Sequence, residues 1–465
     1  MKAYILAGGK GSRLWPYNEY RNKASLPIAN RPLAVRTVEA VCAAGADSVV
    51  IAGSHHMAGL QQIFFGDPRV TVIETRDTSG SAETLEAALA AVPCTDDAIV
   101  LFGDCLYSAS DLDALVRTHR STAAGATALL SQVREDDASG DWIFAHTDDS
   151  GAVTSFAGHT DERTYQVMEA FAFRAAPANG QPFAAYLPTA GVFPGSEIGG
   201  MPPRNERHVE STLHHYAARE GAIPACVGTG TFVDIDKPWH IMEACYTTVW
   251  AETAALTANK LADGASIDPS AQIKGFVQLG KNSRIGRNVI INGSVIVGDN
   301  TVIDNGAIID GDAVIGDRVQ IRNYCYIEGG STIGHGCKVL HAAEFDGVLF
   351  DGAYLYHYME IHGLLGVNVD IGASCVCGTL RFDNKASRHT INGRKETPRF
   401  CANATYIGDH SRTGVNCTFY PGVTIGCNVA VGPGVVVTED IPSNEVVLLK
   451  QELIHKPWGP EKYGW

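Results

Sequence analysis

The sequence predicts two unlike halves: an α/β domain built on a mixed, mostly parallel sheet, and behind it a parallel β-helix of hexapeptide repeats. Three observations carry this. A glycine-rich turn, Leu6 to Arg13, follows directly on a short apolar run from Ala3. Helical and strand patterns then alternate at short intervals up to about residue 245, as they do where crossover helices link the strands of a parallel sheet. From Ile267 to Phe345 an apolar residue stands at every sixth position without a miss, the period of a β-helix whose triangular coils stack apolar side chains inward.

Length and composition agree with that division. A chain of 465 residues exceeds what one hydrophobic core organises. The expected units are residues 1–245, a helical connector at 246–264, the β-helix at 265–442 and a tail at 443–465. A hydrophobic fraction of 45% and a charged fraction of 19% belong to a globular chain rather than a disordered one. No apolar run is long enough to span a bilayer, and Met1 leads straight into a strand without a basic leader, so no membrane contact is expected and a cytoplasmic location is. The twelve cysteines are scattered, and the closest pair, Cys375 and Cys377, is spaced C-x-C. That is neither a zinc pattern nor a disulfide framework, and reduced core residues are expected. A net charge of -15 argues against a nucleic-acid partner, so an anionic ligand must be held by local cations, backbone amides or metal.

Taken in order, Ala3–Leu6 reads as a buried strand. Gly8, Gly9 and Gly11 then free the backbone to close on an anion, with Arg13 as a forked cation. The spacing excludes a dinucleotide fingerprint, which needs Gly at Leu14, and a Walker loop, which needs Gly-Lys-Ser/Thr where Gly11-Ser12-Arg13 stands. Val35–Ala44 reads as a helix, Ser48–Ala52 and Val70–Glu74 as strands, Ala82–Ala91 as a helix and Ala98–Phe102 as a strand. Ligands of open α/β sheets sit beyond the carboxyl ends of the strands, and this last strand delivers Gly103-Asp104 there. A carboxylate at a buried strand tip needs a cation; Asp104 is a metal-ligand candidate, or a turn former or helix cap. A second carboxylate, Asp234, ends Gly230-Thr231-Phe232-Val233 ahead of Asp236, Pro238 and an apolar helix from His240 to Tyr246.

The loop ending in Arg13, the Lys23-Ala24-Ser25-Leu26-Pro27 segment ten residues on, and the carboxylates Asp104 and Asp234 together resemble the signature of the sugar-1-phosphate nucleotidylyltransferases. The resemblance implies a Rossmann-like nucleotidyltransferase domain in which Arg13 and Lys23 act on phosphates. It implies a nucleotide-binding loop of Leu6, Ala7, Gly8, Gly9, Gly11 and Ser12, with Mg²⁺ on Asp104 and Asp234. The implied partners are an NTP and a sugar 1-phosphate, giving an NDP-sugar and pyrophosphate. Ser79-Gly80-Ser81 resembles the family segment whose backbone meets the base, which makes Gly80 a nucleotide contact; its other reading is an ordinary helix cap.

Two positions depart from the family pattern. Asp236 stands where the family often has Gly, and Gly158-His159 replaces a Glu-Lys pair. The second change leaves His159 as the phosphate ligand and opens the site to an unusual phosphate or phosphonate. Glu169, on the strand read at Val167–Phe171, and Glu210, opening the helix after Arg207-His208-Val209, contact sugar hydroxyls or are caps or surface residues.

In the second half the six-residue register resumes at Ile407 and runs to Val437, with Thr413 its polar member. Between the two runs the basic loop 379–403, which includes Arg381, Lys385 and Arg394, must project from the coil. The repeat resembles the left-handed β-helix of the hexapeptide acyltransferases, and the whole chain resembles the bifunctional N-acetylglucosamine-1-phosphate uridylyltransferase family. That implies a homotrimer packed through coil faces, with the loop reaching a neighbour. It also raises acyl transfer from a thioester such as acetyl-CoA, with His357 as general base and Lys385 at a basic position. Glu360 and Thr379 stand where the family has Tyr and Asn, and His362 is the poorer base candidate. A third reading is a non-catalytic regulatory protein of the same layout; such proteins have lost the loop and metal residues, which this chain keeps at Arg13, Lys23, Asp104 and Asp234. The tail, with Trp458 and Trp465, is expected to pack on the β-helix.

Overall fold

Alternation of side chains along the first strand sets the layers of the amino-terminal domain. Ala3 and Ile5 pack with Val38, Val41, Leu112 and Leu115, from the helices Leu33–Ala43 and Ala109–Ser121 on one side. Tyr4 and Leu6 pack with Leu85, Val209 and Leu213, from the helices Ser81–Ala91 and Val209–Glu220 on the other. The chain is described here from a computed structural model that covers residues 1–132, 142–158, 166–189 and 207–463.

Four strands, Lys2–Leu6, Ser48–Gly53, Val70–Glu74 and Asp97–Phe102, run parallel. Gln166–Arg174 joins antiparallel to Asp97–Phe102 and carries Ala126–Gln132 on its flank. The sheet is therefore mixed and mostly parallel at its centre, with the strand tips near Leu6 and Phe102 side by side. All twelve cysteines are unpaired, and no described helix is long and apolar enough to cross a membrane.

One helix, Pro238–Ala254, runs through the boundary expected at residue 245, and the first coil strand is Lys260–Leu261. The stretch expected as a separate helical connector is thus half helix and half coil. Trp239, Ile241, Met242, Cys245 and Val249 are buried all along that helix, so tertiary packing, rather than the domain division, sets its length.

The carboxyl-terminal half is a parallel β-helix whose stacked apolar residues, from Val277 to Ile441, form one continuous core. Its hexapeptide register is consistent with the left-handed form. Successive coils pair eighteen residues apart, as Tyr326 does with Glu344. The next two steps are sixteen, Glu344 with Glu360 and Glu360 with Val376. In these shortened coils the strands Glu344–Leu349 and Glu360–Leu365 run straight through a corner. Gly347 and Gly363 make this possible, at φ +139 and +154, and a Cβ on either would run into the carbonyl of the next coil.

The collapsed corner seats the first domain. Val348, Phe350, Leu364 and Tyr406 of the coils share one buried cluster with Leu14, Tyr17, Trp239 and Met242. Tyr17 donates to the Leu364 carbonyl at 2.5 Å and Arg21 pairs with Asp409. Part of the basic loop folds back onto its own chain. Its hairpin, His389–Ile391 with Arg394–Glu396, places Asn392 against Ser12 at 3.3 Å and Glu396 on Lys237 at 2.7 Å. The tail packs on the β-helix only at its start: Val446 and Val447 pair with Ala430 and Val431 as a last coil strand, whereas residues 450–457 are exposed, Leu453, Ile454 and Trp458 show 67%, 86% and 76% of their surface, and Trp465 lies outside the described residues.

Candidate active site

The glycine-rich loop leaves the first strand at a fixed angle because its exit is stapled. Ala7 donates to Ala52 at 2.7 Å, a Cβ on Gly8 would press on Thr84 at 3.0 Å, and Gly9 stands in open space. Gly11 turns at φ +66 into the short helix Ser12–Leu14, leaving Ser12 exposed. Asn22, absent from the expected site, ties this loop down. Its amide donates to Ala7 and His55 at 2.9 and 2.7 Å, and its oxygen caps Ala24. The available signal was an Asn directly before a short helix, an N-cap pattern.

The two carboxylates arrive on a two-residue ladder. Val233 pairs with Leu106 and Asp234 with Cys105, while the Ile235 amide donates to the Asp104 carbonyl at 2.8 Å. Each of Asp104, Cys105 and Asp234 offers a ligand atom within 4.8 Å of the others. Burial pushes the Cys105 thiol well up, so the useful donors are carboxylate oxygens, the set a hard cation such as Mg²⁺ takes. Burial, reinforced by Asp236 and Asp104, also pushes the Asp234 carboxyl well above its usual value. The donor set fits a divalent ion.

Lys23 Nζ lies 2.9 Å from Asp104 Oδ2 and 2.8 Å from Asp236 Oδ1, and an Arg13 guanidinium nitrogen lies 2.6 Å from Asp236 Oδ2. Burial alone would lower Lys23, but the charges of Asp236, Asp104 and Asp234 hold it above its ordinary value. Burial likewise opposes the Asp236 charge, and Lys23 and Arg13 overcome it, holding that carboxyl well below the usual range. Arg13, Lys23, Asp104 and Asp234 therefore converge, and Asp236, undervalued for standing at a family Gly, joins them.

The remaining expected residues are less concentrated. Gly80, at φ +134, packs on the Arg207 backbone too closely for a Cβ. Glu169 and Glu210 are 0% and 2% exposed, which removes the surface reading for both. Glu210 sits in the first turn of its helix, 3.5 Å from His208. Glu169 lies beside Asp111, since a Cβ on Gly228 would stand 2.9 Å from Asp111 and 3.1 Å from Glu169. His159 lies outside the described residues.

A second cluster occupies the β-helix. A cavity of about 340 Å³ is lined by His362, Thr379, Arg381, Lys385 and Asn403. His362 Nδ1 stands 2.8 Å from Asp346 Oδ2, and Asp346 accepts from the Tyr246 hydroxyl. His357 does not line it; that residue sits in a left-handed turn at φ +74 among the rings of His341 and Tyr356. His362, the poorer base candidate by resemblance, is thus the histidine that the coil turns towards the cavity.

Comparison with known proteins follows the same division. Residues 2–173 match the family profile described as Nucleotidyl transferase, 257–353 the GMPPB C-terminal domain, and 405–439 the hexapeptide repeat of succinyl-transferase. A bifunctional sugar-1-phosphate nucleotidylyltransferase/acetyltransferase of Sulfurisphaera tokodaii is 23% identical, over 96% of this chain and 99% of that one. A bifunctional protein GlmU of Methanocaldococcus jannaschii is 26% identical, over 98% of this chain and 99% of that protein. A mannose-1-phosphate guanylyltransferase of Mycobacterium tuberculosis is 26% identical over 61% and 76%. The chain thus joins a domain of the nucleotidyl transferase family to a hexapeptide-repeat β-helix, the layout of its bifunctional sugar-1-phosphate nucleotidylyltransferase/acetyltransferase relatives.

Proposed function

We propose that the amino-terminal domain transfers a nucleotidyl group from an NTP to a sugar 1-phosphate or a similar phosphorylated small molecule, giving an NDP-sugar and pyrophosphate. The observation that carries this is the meeting of Arg13 and Lys23 with the Asp104 and Asp234 carboxylates beyond the strand tips. The acceptor phosphate oxygen attacks the α-phosphorus in line, the bond to the β-phosphate breaks, and pyrophosphate leaves. No general base is needed, since that oxygen is already ionised. Chemistry of this kind is mostly positioning and charge neutralisation. The Gly8–Ser12 backbone and Arg13 hold the β- and γ-phosphates, and Lys23 meets the α-phosphate or the acceptor phosphate. Mg²⁺ held by Asp104 and Asp234 neutralises phosphate charge when bound.

A second activity, acyl transfer from a thioester such as acetyl-CoA, is favoured by one observation: His362 faces the β-helix cavity with a carboxylate at its back, as a base and its orienting group do. His362 replaces His357 as the base, with Lys385 on the cavity wall. The chain works in the cytoplasm as a homotrimer in this reading. The unpaired cysteines support the location, and the exposed Val376, Val415 and Val436 on the coils support packing between copies.

The two sites are tested together. Pyrophosphate release is followed with Mg²⁺ across the common NTPs and a panel of sugar 1-phosphates, and acyl transfer to the amino sugars among them is followed separately. Asp104→Asn should lower the first by about a hundredfold or more and spare the second, and His362→Ala should do the reverse. Unchanged pyrophosphate release in Asp104→Asn removes the nucleotidyl-transfer assignment. Light scattering at other than three chain masses removes the trimer.

A further inference from the structure

We propose that Asp236 is a resident counter-anion: it occupies the phosphate seats of Arg13 and Lys23 and sets how tightly the site holds phosphate. The proposal rests on the nucleotidyl-transfer reading and assigns this chain a positioning residue at the position of a family glycine.

The geometry is that of a stand-in for phosphate. One carboxylate gives Oδ2 to Arg13 at 2.6 Å and Oδ1 to Lys23 at 2.8 Å, so a single anion spans the two cations that phosphate needs. The Asp236 side chain is 6% exposed and that of Lys23 is 10%, and removing one partner of a buried pair leaves an uncompensated charge, which costs far more than at the surface. Capping of the helix that follows does not account for the carboxylate. The N-cap is Lys237, without a side-chain cap, and what Asp236 gives the helix is its backbone amide, which donates to His240 Nδ1 at 3.2 Å. Burial pushes His240 down to about 3, so that ring is a neutral acceptor, and the carboxylate is left to the cations.

The segment around Asp236 is clamped on both sides. Ile235 is bonded to Asp104 and Lys237 to Glu396 on the β-helix hairpin. Asp236 therefore stays in place when a polyphosphate enters, and its charge opposes the newcomer while the two cations are shared. The same charge recaptures the cations as pyrophosphate departs. A glycine in this position would leave Arg13 and Lys23 more attractive to phosphate and slower to release it.

The test is calorimetric binding of inorganic pyrophosphate to the full chain, beside steady-state turnover. Asp236→Asn should bind pyrophosphate about tenfold more tightly than the wild type, lower the KM for NTP and lower kcat as release slows; Asp236→Glu should restore wild-type values. A purely structural carboxylate would lower the melting temperature and leave pyrophosphate affinity unchanged or weaker, and that result overturns the proposal. If Asp236→Asn does not fold, Asp236→Gly carries the same expectation, and failure of both to fold also overturns it. Failure of the underlying reading looks different: the wild-type chain then releases no pyrophosphate from any NTP, whatever the binding series shows.

Discussion

Glu169 is a carboxyl group with none of its surface exposed, on a strand where pairing slips between Met168 and Ala170. A hydrogen bond from Ser131 offsets only part of the cost of that burial. Burial, with the Asp111 charge adding to it, raises its pKa from 4.5 to about 7, so the fold favours the protonated form. The folded state then binds more protons than the unfolded one between those values. Stability is fully present below pH 4.5 and is lost as pH rises towards and through 7, by about 3 kcal/mol in all. Glu169→Gln should remove that fall and leave the chain more stable at pH 8 than the parent, as urea unfolding at pH 5 and pH 8 would show; an unchanged slope assigns it to other groups. At this scale the sequence revealed the residues that come in spaced sets, Arg13 with Lys23 and Asp104 with Asp234. It did not reveal single residues whose meaning is a neighbour. Glu169 read as sugar contact, cap or surface residue because a bulge is invisible in a lone strand, and Asp236 read as a weak substitution for glycine because its partners come from two distant segments.

At the scale of the coil, the six-residue period was legible because burial of every sixth side chain is a purely local constraint. What interrupts it was not. A coil two residues short still reads as apolar alternation, and only the packing of Gly347 on Gly363 shows that a corner has gone. The turns hold a second rule. The left-handed corner recurs at Asn282, Asn300, Gly336, Gly352 and Asn368, with φ between +55 and +72, and these are residue types that tolerate it. Arg318 holds the same corner at φ +55 with its side chain exposed, and a Cβ-bearing residue without Asn's local polar contacts costs roughly 1–2 kcal/mol there. Arg318→Asn should therefore stabilise the β-helix by about 1 kcal/mol, seen as a higher urea midpoint. A lower midpoint would mean that the arginine makes contacts worth more than the strain.

Between whole domains, what the sequence could not show is that they share one core. Phe350, 2% exposed on the collapsed corner, packs edge-on against Tyr17 at 5.8 Å between ring centres and lies under the Arg21 guanidinium at 5.4 Å. Tyr17 and Arg21 belong to the segment between Arg13 and Lys23, so a coil residue props the chain that joins the two phosphate cations. Domains joined only by a linker unfold separately, whereas domains that bury each other's apolar surface unfold together. Phe350→Ala removes a large buried ring and should cost about 3–5 kcal/mol. The expectation is one unfolding transition in the parent chain, followed at once by β-sheet signal and by the tryptophan emission to which the buried Trp239 contributes. In the variant both probes should move down together, with pyrophosphate release falling because Arg13 and Lys23 lose their common support. If the two probes instead separate, with the β-helix melting lower and the transferase activity intact, then the coil is a passenger on the catalytic domain rather than part of its foundation.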